Sequence, residues 1–239
     1  MLSQNPNVKF IGIGGRKMID RGLNSIENME KMAIMGFVEV IRYLGFFHNL
    51  TKRVLDEIDN CQPSQIILID YPGFNLRLAK KIKQHFNIPI TYYISPQIWA
   101  WKENRIEIIR KYIDQMLVIF PFEENWYKKR GIQAKFVGHP IFDEWTPTSK
   151  EELCSHLNIS SQKNIITLYP GSRNQEVNRH LPILIKTANK LRKHNPSIQF
   201  LLGVAHHINI SQWQNPSWIQ IEKKYPQKAL ECADLALVA

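Results

Sequence analysis

Cysteine is sparse in this chain of 239 residues: only Cys61, Cys154 and Cys232, far apart in sequence. They form neither a metal-ligand spacing nor a disulfide framework, so a reducing cytoplasm and no bound metal are expected. Long apolar runs are lacking too. The best, 88–101, is shorter than the ~20 residues of a spanning helix and is broken by Pro89, Ser95, Pro96 and Gln97. The first residues, Met1 to Asn7, are polar, and no signal peptide is expected. Acidic residues are outnumbered, 21 against 31 Lys and Arg, for a net charge of +10. A surface of that sign attracts phosphate. No zinc finger, ribonucleoprotein motif or basic helix run accompanies it, which disfavours nucleic acid. Anionic lipid or a phosphorylated small molecule is the expected partner, and a plain soluble basic protein the bland alternative. With 44% hydrophobic and 22% charged residues, disorder is excluded.

What is present is an alternation of strand and helix. Residues 8–13 predict a strand ending in the Gly12-Ile13-Gly14-Gly15 turn. Ile66–Ile69 is a short β-branched run of the kind that makes a buried parallel strand. The following helix carries Leu78, Ala79, Ile82 and Phe86 on one face with lysines opposite. Strands follow at 88–94, 115–119 and 135–137, with a short helix over 123–129. The stretch 145–150, Trp-Thr-Pro-Thr-Ser-Lys, has linker composition and divides the expected domains at 1–145 and 146–239. The pattern then restarts with a strand at 164–168, a helical stripe of Leu181, Leu184, Ile185, Ala188 and Leu191, and strands at 198–202, 218–221 and 235–238. Repeated βα units imply the α/β class, with parallel sheets flanked by helices. The chain stops inside an apparent strand, Asp234 to Ala239, so both domains are expected to be incomplete, with Ile166, Leu201 and Leu237 poorly covered.

Several segments could carry chemistry. Asp70 ends a buried strand, where ligand sites of open α/β sheets lie, and Asn75 can cap the next helix. Asp70 is either catalytic or an ordinary turn residue. Tyr92 to Trp101 is unusually aromatic for a loop, suited to stacking on sugar, meeting lipid or packing in the core. Pro170-Gly171-Ser172-Arg173, with Glu176 beyond, is either an anion site at a helix start or a plain turn capped by Ser172. No Gly-Lys-Ser/Thr follows, which excludes a Walker loop, and Lys17 stands where a dinucleotide fingerprint needs glycine. His139 reads as a structural hinge before Pro140 rather than a base. Residues 32–51 carry only Glu39 and Arg42 as charges, so a helix there is apolar all round, either buried or partly in lipid, with Lys52 and Arg53 next to it.

These pieces, in this order, resemble the lipid A disaccharide synthase family. They are 35–40 (Met-Gly-Phe-Val-Glu-Val), Asp70-Tyr71-Pro72-Gly73-Phe74-Asn75, Ser95-Pro96-Gln97-Ile98-Trp99-Ala100-Trp101, Pro121-Phe122-Glu123, Val137-Gly138-His139-Pro140 and Pro170-Gly171-Ser172-Arg173. Singly most are weak, jointly they are specific, and the resemblance spans essentially the whole chain. It implies a B-type glycosyltransferase fold: an N-terminal Rossmann-like domain on the acceptor and membrane side, and a C-terminal one on the UDP-sugar side. The implied reaction is an inverting transfer of 2,3-diacylglucosamine from UDP-2,3-diacylglucosamine to the 6-hydroxyl of 2,3-diacylglucosamine 1-phosphate, without cofactor or metal. Under it, Asp70 matches the catalytic carboxylate, and Gly171, Ser172, Arg173 and Glu176 match the UDP-binding segment. Asn75, Ser95, Trp99 and Trp101 fall to the acceptor or sugar, and Met35, Phe37, Val38, Phe46 and Phe47 to acyl chains and membrane. The implied location is cytoplasmic, peripheral on the anionic inner face of the inner membrane.

The family's opening Gly/Ser-rich loop and later Ser-Gly-Thr donor segment have no counterpart here, so truncation at both ends is expected. Gly73 stands where some relatives carry a second acid. The alternatives are an inactive remnant that binds lipid or nucleotide, and another nucleotide-sugar enzyme of the same fold, such as an epimerase.

Overall fold

A computed structural model describes residues 8–29, 44–100, 103–211, 213 and 216–239. The chain divides into two compact units, Met1–Glu144 and Trp145–Ala239.

In the first unit, β1 (Phe10–Gly14), α1 (Arg16–Ile19) and β2 (Leu23–Asn28) form a small parallel pair. Gly14 lets Leu23 pack close to β1, since a Cβ there would lie 2.3 Å from Leu23 Cδ2 and force that side chain to shift. Next come α2 (Leu44–Cys61), β3 (Ile66–Ile69), α3 (Pro72–His85), β4 (Ile90–Tyr93), α4 (Ile106–Tyr112), β5 (Gln115–Val118), α5 (Pro121–Lys128), β6 (Ala134–Phe136) and α6 (Ile141–Glu144). The four later strands make a parallel sheet in the order β3-β4-β5-β6. Its core joins Ile90, Tyr92, Met116 and Val118 of the strands to Leu78, Ala79 and Ile82 of α3, Ile109 of α4 and Tyr127 of α5. β4 is buried along most of its length, whereas the buried strand expected at Ile66–Ile69 is corrected: β3 lies at the sheet edge, where Leu68 is buried and Ile67 and Ile69 are exposed. Asp114 ties the entries of β4 and β5: its Oδ2 accepts the Ile90 amide at 2.6 Å and pairs with Lys83 Nζ at 2.7 Å.

The second unit contains α7 (Lys150–His156), β7 (Ile165–Tyr169), α8 (Asn174–His194), β8 (Gln199–Gly203), β9 (Ile219–Glu222), α9 (Pro226–Glu231) and β10 (Leu235–Val238). Its sheet is parallel throughout, in the order β10-β7-β8-β9. Successive strand residues point to opposite faces. Ile166, Leu168, Phe200 and Leu202 therefore meet Val177, Leu181 and Ala188 of α8. Ile165 and Leu201 meet Leu153 and Cys154 of α7 and Ala229 and Cys232 near α9. The poor cover expected for Ile166 and Leu201 is thus corrected: both are buried under α7, α8 and α9, whereas Leu237 is half-buried and Leu235 and Val238 of the edge strand β10 are exposed. Ser149 caps α7, its Oγ accepting the Glu152 amide at 3.2 Å. Burial pushes the Cys232 thiol up to about 11 and raises Cys154 as well, as expected of inert core thiols.

Candidate active site

β3 delivers Asp70 to the C-terminal edge of the first sheet in an uncommon backbone state. Asp70 and Tyr71 both lie in the left-handed region, at φ +46° and +45°. Consecutive non-glycine residues there are costly and need external support. Asn75 supplies it, its Nδ2 donating to the carbonyls of Ile69 at 3.0 Å and Asp70 at 2.7 Å. Tyr92 Oη donates to the Asp70 carbonyl at 2.6 Å, and the Asp70 amide donates to Tyr93 O at 2.9 Å. Asn75 is not the helix cap its sequence position suggested. Tyr71 precedes Pro72 at the helix start, and Asn75, the fourth residue of α3, reaches back over the turn. The Asp70 side chain itself is exposed. Burial, and then the negative charge of Asp70, push the Tyr92 phenol well above its usual range, so it stays a donor.

The next strand end, beside it in register (Ile69 opposite Tyr93), is also strained. Ile94, β-branched, sits at φ +62°. Ser95 follows, its Oγ donating to Glu123 Oε1 at 2.5 Å, and Trp99 Nε1 donates to the same oxygen at 3.1 Å. Trp99 is 38% exposed and its ring meets Phe122 edge-on at 5.1 Å. Trp101 lies outside the described residues, as do Met35, Phe37 and Val38. Phe46 and Phe47 are half-buried against the core, and Phe47 faces Phe74 at 5.6 Å and Tyr71 at 6.4 Å. The apolar start of α2 therefore borders the Asp70 turn. His139 accepts the Ile141 amide through Nδ1 at 3.2 Å and faces Phe120 at 5.9 Å, a turn-forming role.

In the second unit the β7–α8 turn gathers Gly171, Ser172, Arg173 and Glu176. Gly171 lies at φ +108°, and a Cβ there would sit 2.6 Å from Glu176 Oε2. Glu176 folds back over the turn. Its Oε2 accepts the amides of Ser172 at 3.0 Å and Arg173 at 3.1 Å, and its Oε1 accepts Arg173 Nη1 at 2.7 Å. Those two amides first, and then the guanidinium, hold its carboxyl below the usual range. Arg173, not Ser172, is the residue immediately preceding the helix. Two histidines brace the turn: His180 Nδ1 lies 3.4 Å from Pro170 O and His207 Nε2 3.1 Å from Ser172 O. A carbonyl only accepts, so each of those ring nitrogens carries the proton.

Asp70 and Asn75 thus share one turn, Ser95 and Trp99 share the neighbouring loop, and Phe47 borders the first. Gly171 to Glu176 form a separate cluster in the second unit. Glu123, His180 and His207 carry these arrangements without having been candidates. Glu123 stood in the sequence only as part of Pro121-Phe122-Glu123. No cluster of His, Cys, Asp and Glu able to hold a metal occurs among the described residues.

Comparison with known proteins adds a lineage. A family model described as lipid-A-disaccharide synthetase matches residues 1–239. The lipid-A-disaccharide synthase of Coxiella burnetii (strain Dugway 5J108-111) is 37% identical over 211 residues, covering 88% of this chain and 56% of that protein. Lipid-A-disaccharide synthase 1 of Legionella pneumophila (strain Paris) is 42% identical over 205 residues, covering 85% and 53%. The chain spans about half the length of the curated relatives it matches. Among solved structures, the S. aureus MnaA–UDP co-structure aligns with a TM-score of 0.56 at 10% identity, over 97% of this chain and 74% of that one. Sucrose-phosphate synthase from Thermosynechococcus elongatus aligns at 0.53 and 10%, over 97% and 75%. At such identities the likeness is one of fold, two-sheet Rossmann-like architecture of the B-type glycosyltransferases.

Proposed function

The chain belongs to the lipid-A-disaccharide synthetase family, and from that premise we propose that its first unit takes the acceptor and its second the UDP end of the donor. The reaction is the inverting transfer of 2,3-diacylglucosamine from UDP-2,3-diacylglucosamine to the 6-hydroxyl of 2,3-diacylglucosamine 1-phosphate. The acceptor oxygen attacks the anomeric carbon, the bond from that carbon to the diphosphate breaks, and UDP leaves with the electron pair. The Asp70 carboxylate takes the hydroxyl proton as attack proceeds. The observation carrying this reading is Asp70 itself. It is an exposed carboxylate at the C-terminal edge of a parallel sheet, on a left-handed turn held by Asn75 and Tyr92. Strain so supported concentrates at functional sites.

The apolar border of Phe47 and Tyr71 beside that turn suits acyl chains, and the net charge of +10 suits an anionic membrane surface and phosphorylated substrates. No described helix is long and apolar enough to cross a membrane, so association by the face of a helix is the mode proposed.

The test is disaccharide formation from the two acylated substrates by a full-length version of the protein, since this chain spans about half the length of its relatives. Asp70→Asn should lower turnover by a factor of about 10² or more, the scale of a lost general base, with the unfolding temperature unchanged. Near-normal turnover by a folded Asp70→Asn protein would sink the assignment.

A further inference from the structure

Two buried carboxylates occur among the described residues, Glu123 and Glu222, and Glu123 is the deeper, 1% exposed. A buried carboxylate is costly unless its oxygens are well hydrogen-bonded. Those of Glu123 collect three donors from two loops: Ser95 Oγ and Trp99 Nε1 on Oε1, and the Phe120 amide on Oε2 at 3.1 Å. Its place in the first turn of α5 adds the favourable end of the helix dipole. One turn further along α5, the fully buried Tyr127 donates to the Pro96 carbonyl at 3.3 Å. Ser95, Pro96 and Trp99 are therefore all tied to one helix. The loop they form leaves β4 through the left-handed Ile94, a conformation that persists only under such restraint.

These bonds do more than close a loop. The indole N–H fixes Trp99 at one end and Phe122 backs its ring, so the exposed remainder of the indole has one orientation. β4 is next to β3, and the loop starts beside Asp70. We propose that Glu123 is a positioning residue: its buried carboxylate holds the Trp99 ring as a fixed stacking surface for the acceptor sugar next to Asp70. This rests on the reading of the Asp70 edge as the acceptor side. An aromatic ring stacks on the apolar face of a sugar only if its tilt is set beforehand, and preorganisation of that kind is read in affinity.

Glu123→Gln keeps the shape but gives one terminal atom two protons. Ser95 can turn its hydroxyl to accept, whereas the Trp99 indole and the Phe120 amide can only donate. With the NH2 on the Trp99 side the indole bond is lost, and with it on the Phe120 side the indole keeps its bond but to a neutral oxygen, so in either case the indole proton loses its carboxylate partner. The experiment follows the Trp99 indole N–H resonance, assigned by its disappearance in Trp99→Phe, together with KM and kcat for 2,3-diacylglucosamine 1-phosphate and the affinity for UDP. In the parent the resonance should be shifted downfield by the carboxylate. In Glu123→Gln it should move upfield or broaden, acceptor KM should rise about tenfold with a much smaller change in kcat, and UDP affinity should hold. Trp99→Phe should reproduce the KM rise, and Ser95→Ala with Glu123→Gln should cost less than the sum of the two. An unmoved indole resonance in Glu123→Gln, or a moved one with an unaltered acceptor KM, overturns the proposal. If Glu123→Gln does not fold, Ser95→Ala and Trp99→Phe decide it by the same readouts. Failure of the parent to bind the acceptor at all instead overturns the acceptor-side reading, and the indole shift still decides whether Glu123 positions Trp99.

Discussion

Glu176 and Arg173 show how the identity of one side chain changes what a turn can do. The amides of Ser172 and Arg173 are the donors a phosphate would seek at the start of α8, and a carboxylate from the same helix already occupies them. A diphosphate must share or displace that anion. Arg173 is the flexible partner, its side chain 81% exposed against 32% for Glu176, so the guanidinium can turn from the carboxylate to a ligand. Arg173→Ala should weaken UDP binding by about tenfold, the low end for a lost charge-assisted hydrogen bond. Glu176→Gln, which removes the competing charge, should strengthen it several-fold. Both are measured by calorimetry with UDP, and an unaltered affinity in Arg173→Ala would remove this turn from the donor site. That Asn75 clamps the Asp70 turn was not legible in the sequence, because asparagine after Pro-Gly reads as a helix cap. Its job depends on a left-handed pair visible only in the backbone. Glu123 was hidden for another reason: its partners Ser95 and Trp99 lie 28 and 24 residues away, and no local spacing announces such a bond.

Among the elements, the apolar strands were the most legible. Ile66–Ile69, Gln115–Val118 and Ile165–Tyr169 lie within a residue or so of their expected bounds, but only β7 is buried along its length; β3 keeps its apolar run while leaving Ile67 and Ile69 exposed. β2 left no such trace. Its sequence, Leu-Asn-Ser-Ile-Glu-Asn, is mostly polar and only Leu23 is buried. The short helices α4, α7 and α9 span too few turns to show a stripe. At α2 the sequence admitted two outcomes. The described helix is longer on its C-terminal side than the apolar segment, running to Cys61, and Leu50 and Ile58 enter the core while Phe46 and Phe47 stay half-buried. Under the proposed membrane association, these two half-buried rings are the lipid contact. Co-sedimentation with vesicles should rise with anionic lipid and fall with salt, and Phe46→Glu with Phe47→Glu should reduce it several-fold. Binding that ignores this pair would assign both rings to the core alone.

Across the whole molecule, the perturbed groups define a plateau of stability with two edges. On the acid side stand Asp114, Asp234 and Glu176. Burial raises Asp114, but the Lys83 hydrogen bond and the Ile90 amide outweigh it and the net shift is downward. Asp234 is lowered by the Lys150 hydrogen bond and then by the Ile165 amide. A carboxyl whose folded value is depressed stabilises the fold above its unfolded value, and that contribution is lost as pH falls through the folded one. The loss therefore begins near the ordinary carboxyl range of about 4 and deepens below it. On the alkaline side, Lys150 is raised by its hydrogen bond to Asp234, and burial raises Tyr92, Tyr127 and Cys232, the last to about 11. A raised group contributes fully below its unfolded value and loses that contribution as pH climbs through the folded one, which here means above about 8.5 for a thiol and about 10 for a phenol or amine. Unfolding temperature should be flat near neutrality and fall at both ends. Salt separates the contributions at the acid edge. The Lys83–Asp114 and Lys150–Asp234 pairs are partly exposed, and 1 M salt screens them. The amide bonds of Ile90 and Ile165 to the same carboxylates are short and internal, at 2.6 and 2.8 Å, and persist in salt. High salt should therefore reduce the acid slope without abolishing it, while Asp234→Asn should remove the part that Asp234 contributes and leave that of Glu176. An acid edge erased entirely by salt would mean that the surface pairs, not the strand-entry amides, hold these carboxylates ionised.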